Sequence, residues 1–108
     1  MNPRWRFGLL GENIAYTRSP QIFAAIAEYL NVLIEFEVFD CPLSGVDNVV
    51  RRIATGELDG LSVTIPYKDY VCRLCTRLSD SARIIGAVNC AVMTDDEMVG
   101  HNTDWEGF

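Results

Sequence analysis

The sequence is short of basic charge, of histidine, of long apolar runs and of paired glycines, and each shortage excludes something. Nine lysines and arginines stand against fifteen aspartates and glutamates, a net charge of −6. That argues against nucleic acid or an anionic membrane as the main partner, although an acidic chain can still carry a local site for a small anion. No apolar run approaches the length that crosses a bilayer. The stretch after the arginines in MNPRWRFGLLGEN is far too short for a secretory signal, so the chain reads as cytoplasmic. His101 is the single histidine, which leaves Cys72-x-x-Cys75 without the partners of a four-ligand zinc site, and no metal is expected. Cys41, Cys72, Cys75 and Cys90 are then reduced thiols. Apolar residues at 71, 74, 75 and 78 place Cys75 on the inner face of a helix as a buried structural thiol. A thiol protein acting through Cys72 and Cys75 is the weaker alternative. The glycines at 8, 11, 45, 56, 60, 86, 100 and 107 never form Gly-x-Gly-x-x-Gly, the fingerprint of a dinucleotide-binding turn. There is no internal repeat, low-complexity segment or linker.

What is present is enough for one domain. The chain has 108 residues, of which 49% are hydrophobic and 22% charged, so residues 1–108 are read as one globular unit with a real core. WRFGLL (5–10) is an apolar strand. SPQIFAAIAEYL (19–30) carries apolar groups at 22, 23, 26, 27 and 30, a helical stripe, with Ser19 as N-cap and Pro20 in the first helical position. LIEFEVF (33–39) alternates as a strand with one wetter face. Val46, Val49, Val50 and Ile53 predict a helix over 43–55 that Gly56 ends. A strand over 60–65 follows, then two short helices within 66–85, the second starting near Ser79. Strands over 87–93 and 98–102 close into a hairpin through DDE. Alternating strands and helices predict an α/β fold, a three-layer sandwich whose mixed, mostly parallel sheet is flanked by helices. The sequence ends at NTDWEGF, where a helix begins, as expected of a fragment of a longer architecture.

In open α/β sheets ligands bind beyond the carboxyl ends of the strands. Polar residues gather at those ends: Tyr16, Thr17, Arg18 and Ser19 after the first strand, then Thr64 and Lys68 after the third. Asn89 lies at the start of the next, and Asn102, Thr103 and Asp104 follow the last. Hydroxyls, amides, one cation and one carboxylate suit a small polyhydroxylated acid. The helix N-terminus near Ser19 offers a place for its carboxylate. Each residue also has a plainer role. Ser19 or Asp104 can be helix caps, Lys68 a solvated helix residue and Asn89 a loop tie.

Taken in order, TRSP (17–20), SVTIPYK (62–68), GAVN (86–89) and NTDWEGF (102–108) resemble the substrate-binding domain of shikimate dehydrogenases across nearly the whole chain. The resemblance implies that Thr17 and Ser19 hold the substrate carboxylate and that Thr64, Asn89 and Asp104 bind ring hydroxyls. Lys68 and Asp104 are then the catalytic pair, the lysine moving a proton to or from the reacting oxygen and the aspartate orienting it. Two positions depart from the family pattern. Thr17 stands where serine is usual, and Ser62 where asparagine is usual, both where substrate is read. The ligand implied is therefore shikimate or a relative such as quinate. The resemblance further implies an NADP-dependent oxidoreductase of the shikimate pathway to aromatic amino acids. Its NADP is bound mainly by a Rossmann domain that is expected to be absent from residues 1–108, so the chain alone is not expected to catalyse turnover. A stand-alone, non-catalytic module for a cyclic acid is the alternative. An isolated lobe would also expose its partner-facing side, and a homodimer or larger species is expected.

Overall fold

The computed structural model describes residues 4–106, with side chains through Asp104; residues 1–3 and the end of the 102–108 motif lie outside the described residues. The elements are β1 (Arg4–Gly11), α1 (Ser19–Leu30), β2 (Leu33–Asp40), a tight helical turn (Leu43–Gly45), α2 (Val46–Ala54), β3 (Gly60–Val63), α3 (Lys68–Leu74), β4 (Arg77–Leu78), α4 (Asp80–Ile85), β5 (Cys90–Thr94), β6 (Glu97–His101) and α5 (Thr103–Glu106). They build one six-stranded sheet in the order β2-β1-β3-β5-β6-β4. The pairs β1–β2, β1–β3 and β4–β6 are parallel, and β3–β5 and β5–β6 are antiparallel. The mixed, mostly parallel α/β sheet is as the alternation predicts.

The two faces of the sheet are covered unequally. On one face Leu10, Leu61, Ala91 and Met98 meet Val46, Val49, Val50 and Ile53 of α2, Val71 of α3 and Ala82 of α4 in a continuous buried core. The α2 residues recur at the spacing of a helical stripe, and the helix carries Asp47 in its first turn and arginines in its last, matching its dipole. On the other face α1 lays Phe23 against Phe7 and Phe36, with ring centroids 5.7 and 4.6 Å apart. The β1–α1–β2 crossover runs one way along the sheet and β2–α2–β3 runs back past β1, which sends α1 and α2 to opposite faces.

Several elements differ from the sequence reading. Ser19 is not a cap: α1 starts at Ser19, and Arg18, its N-cap residue, makes no side-chain capping bond. The α1 stripe is formed as read but is not buried, with Ile22, Ile26 and Leu30 all exposed. Cys75 stands outside the helix, because α3 ends at Leu74 and Cys75 is already extended. It packs against β6, where a Cβ on Gly100 would lie 2.8 Å from its sulfur. The strands at 60–65 and 87–93 are shorter than read, ending at Val63 and starting at Cys90. The two-residue edge strand β4 is not signalled by the sequence. The readings of Ser79 and DDE hold. Ser79 accepts from Ala82 N at 3.3 Å as the cap of α4, and Asp95 and Asp96 take the left-handed conformation that a two-residue hairpin turn requires.

Candidate functional site

The polar residues singled out above lie in two groups joined by one turn. The first lies where the chain leaves β1. Asp40, at the end of β2, accepts from the backbone N–H of Asn13 at 2.9 Å and of Ile14 at 3.0 Å, which folds the connection back on itself. Thr17 then donates to Ser19 Oγ at 3.2 Å while accepting from Ser19 N at 3.2 Å. With no capping bond to make, the Ser19 hydroxyl stays with the Thr17 hydroxyl. Both line an open groove of ≈ 300 Å³ together with Leu9, Ile14, Tyr16 and Thr64. Gly11 makes this groove possible, since a Cβ there would sit 2.6 Å from the Thr64 methyl. Neither Asp40 nor Gly11 was singled out from the sequence. A polar residue at the end of β2 belongs in the same survey of strand ends and was the available signal for Asp40. The contact at Gly11 has no local signal.

The turn from Thr64 to Lys68 connects the groups. Thr64 N donates to Leu10 O at 2.9 Å, and Tyr67 N closes the turn on Thr64 O at 3.0 Å, with the Ile65–Pro66 peptide in the cis form. Tyr67 is buried and its hydroxyl donates to the Cys41 carbonyl at 2.7 Å, so the residue before Lys68 is anchored in the core. Lys68 opens α3, where a cation faces the unfavourable end of the helix dipole. Asp104 offsets this, with Lys68 Nζ donating to Asp104 Oδ2 at 2.7 Å. The side chains are 32% and 61% exposed, so the pair is open to a ligand. The Lys68 ammonium, donating to the carboxylate, holds Asp104 below its ordinary pKa, and a hydrogen bond from Asn89 lowers it further. Asn89 ties three strand ends together, its carbonyl accepting from Val63 N at 2.8 Å and its N–H donating to His101 O at 2.9 Å. Its side chain reaches Thr103 rather than open space.

Thus Thr17, Ser19 and Thr64 share one groove, and Lys68, Asn89 and Asp104 form a connected cluster four residues further along from Thr64. Ser62 lines a neighbouring apolar depression with Phe7, Phe23 and Cys90, and its strand partner Leu9 lines the groove. The cysteines are poorly suited to thiolate chemistry. Burial, with a smaller effect from Cys72, pushes the Cys75 thiol up to about 11, and burial also raises Cys41, Cys72 and Cys90. Among the described residues, no three His, Cys, Asp or Glu side chains are placed to hold a metal ion, and no helix is long and apolar enough to cross a membrane.

A mixed sheet with a hydroxyl-lined groove and a lysine–aspartate pair at its strand ends is a small-molecule-binding α/β domain. A family model described as the shikimate dehydrogenase substrate binding domain matches residues 9–91. The chain belongs to this family. An NADP(+) shikimate dehydrogenase of Clostridium botulinum is 32% identical over 101 residues, which are 94% of this chain and 39% of that protein. The shikimate dehydrogenase of Thermus thermophilus, solved in complex with NADP(H) and shikimate, superposes with a TM-score of 0.87 at 30% identity, over 96% of this chain and 40% of that one. A 5-ketofructose reductase from a Gluconobacter strain, solved free of ligand, is also similar, with a TM-score of 0.88 at 27% identity over 97% of this chain and 38% of that one. The chain spans about two fifths of the length of the curated relatives it matches.

Proposed function

We propose that residues 1–108 are the substrate-binding lobe of an NADP-dependent shikimate dehydrogenase, an oxidoreductase of the cytoplasmic route to aromatic amino acids. The observation that carries this is the Lys68–Asp104 pair, 2.7 Å apart and solvent-accessible, beyond the ends of β3 and β6. The ligand's carboxylate binds the Thr17 and Ser19 hydroxyls beside the start of α1, where the positive end of the helix dipole favours an anion. The ring extends past Thr64 to Lys68, Asn89 and Asp104. When 3-dehydroshikimate is reduced, Lys68 Nζ gives its proton to the oxygen that becomes a hydroxyl, and in the reverse direction it receives that proton. Asp104 keeps the ammonium aimed. NADP, held by another part of the parent enzyme, would supply or accept the hydride.

The described residues do not fit a dinucleotide. Gly11, the last residue of β1, is closed off by Thr64 and Ile14, the connection from β1 to α1 holds no glycine, and Gly56 and Gly86 only terminate helices. The cofactor therefore belongs mainly to a further domain of the parent enzyme. The exposed apolar side of α1 favours self-association of the lobe.

Calorimetric titration of the chain with shikimate tests the reading. Weak, saturable binding is expected, because an open groove buries less of its ligand than a closed cleft. Thr17→Val and Lys68→Ala should each weaken it about tenfold or more, as expected when a hydrogen bond to a charged group is lost. Undiminished binding in Lys68→Ala, or none in the native chain, would contradict the assignment.

A further inference from the structure

We propose that Thr103 and Asn89 form a positioning clamp that fixes Asp104 against Lys68. The Asn89 side chain meets Thr103 at two points, Nδ2 donating to Thr103 Oγ1 at 2.9 Å and Oδ1 accepting from Thr103 N at 3.0 Å. A planar amide held at both ends fixes orientation as well as distance. Thr103 immediately precedes Asp104, so the clamp sets the backbone from which the carboxylate extends. The other partner hangs from the adjacent residue, because Val88 N donates to the Lys68 carbonyl at 2.8 Å. Val88 and Asn89 therefore form a bracket that holds both halves of the ion pair, one through its backbone and one through its side chain.

The clamp matters because the pair is exposed. An isolated surface pair gains little from its own attraction and loses side-chain entropy when ordered, so alone it is a poor way to hold a reacting ammonium. Lys68, from α3, is the charged group facing Asp104. On α4, which packs beside α5, Asp80 and Arg83 pair with each other at 3.0 Å. The clamp leaves Asn89 able to bind ligand, since an amide oxygen has two lone pairs. The geometry stands by itself; its consequence for proton transfer rests on the function proposed above.

The test is the titration of the Asp104 carboxyl, followed by carbon NMR in the native chain and in Thr103→Val, Thr103→Ser and Asn89→Ala. Thr103→Val keeps the shape and deletes the hydroxyl. The Asp104 titration should move up toward the ordinary carboxylate range in Thr103→Val and return in Thr103→Ser; Asn89→Ala, which also deletes the direct bond from Asn89 to Asp104, should move it further. An Asp104 titration unmoved in a folded Thr103→Val overturns the clamp. If that variant does not fold, an unmoved titration in Asn89→Ala does so. Adding shikimate to the same samples separates the two proposals: absence of binding counts against the function, and an unmoved Asp104 counts against the clamp.

Discussion

Lys68 and Asp104 show what a single residue's setting does. Asp104 titrates low because the ammonium donates to its charged form, so the pair's stabilising contribution is complete above the ordinary carboxylate range. It is lost as the pH falls through the lowered value of Asp104. Both side chains are substantially exposed, so the pair's contribution to stability is below about 1 kcal/mol. Both were legible in the sequence, because residues at strand ends in an α/β pattern can be surveyed without coordinates. Gly11 was not, because its importance arises from the approach of two segments far apart in sequence. Gly11→Ala would bring a Cβ to 2.6 Å of the Thr64 methyl and 3.0 Å of the Ile65 carbonyl. We expect a loss of about 1–3 kcal/mol in chemical denaturation, typical of overpacking, and weaker shikimate binding through a displaced Thr64. Native stability and affinity in this variant would show that the groove does not depend on that approach.

At the scale of elements, the sequence showed which face of a helix is apolar and could not show what covers it. The α2 stripe is buried, whereas α1 leaves Ile22 56% and Leu30 58% exposed. Ile26 and Leu30 form an apolar trough with Trp5, Phe7 and Ile34 of the sheet. With a single charge in SPQIFAAIAEYL and no buried residue, the helix leaves an apolar surface open to contact. We expect the chain to sediment as a dimer or larger species at high concentration. Ile26→Glu with Leu30→Glu should shift it toward monomer with little loss of stability, since exposed side chains contribute little to the fold. Monomer at every concentration in the native chain would contradict this. The start of α4 near Ser79 was legible, and the Ser79 hydroxyl caps it. The cap failed at Ser19, where the Thr17 hydroxyl takes the Ser19 N–H and the helix starts one residue earlier. Two residues of β4 carry no period to read, and the end of α3 at Leu74 rather than beyond Cys75 had no glycine or proline to announce it.

For the molecule as a whole, alternation of strands and helices was enough to predict a mixed α/β sheet, because that pattern has few ways to bury its apolar faces. The means by which the strand ends are joined was not legible. It depends on the Thr64–Lys68 turn, the Tyr67 anchor in the core and the folding back of residues 12–18 on Asp40. The central claim is that these ends form one working site for a cyclic hydroxy acid. Amide NMR during titration with shikimate tests it most directly. The account predicts shifts clustered at residues 16–21, 62–68, 86–90 and 102–104, with one affinity common to all four segments. Saturating shikimate that moves none of these segments, or moves only residues around Cys72 and Cys75, would contradict it.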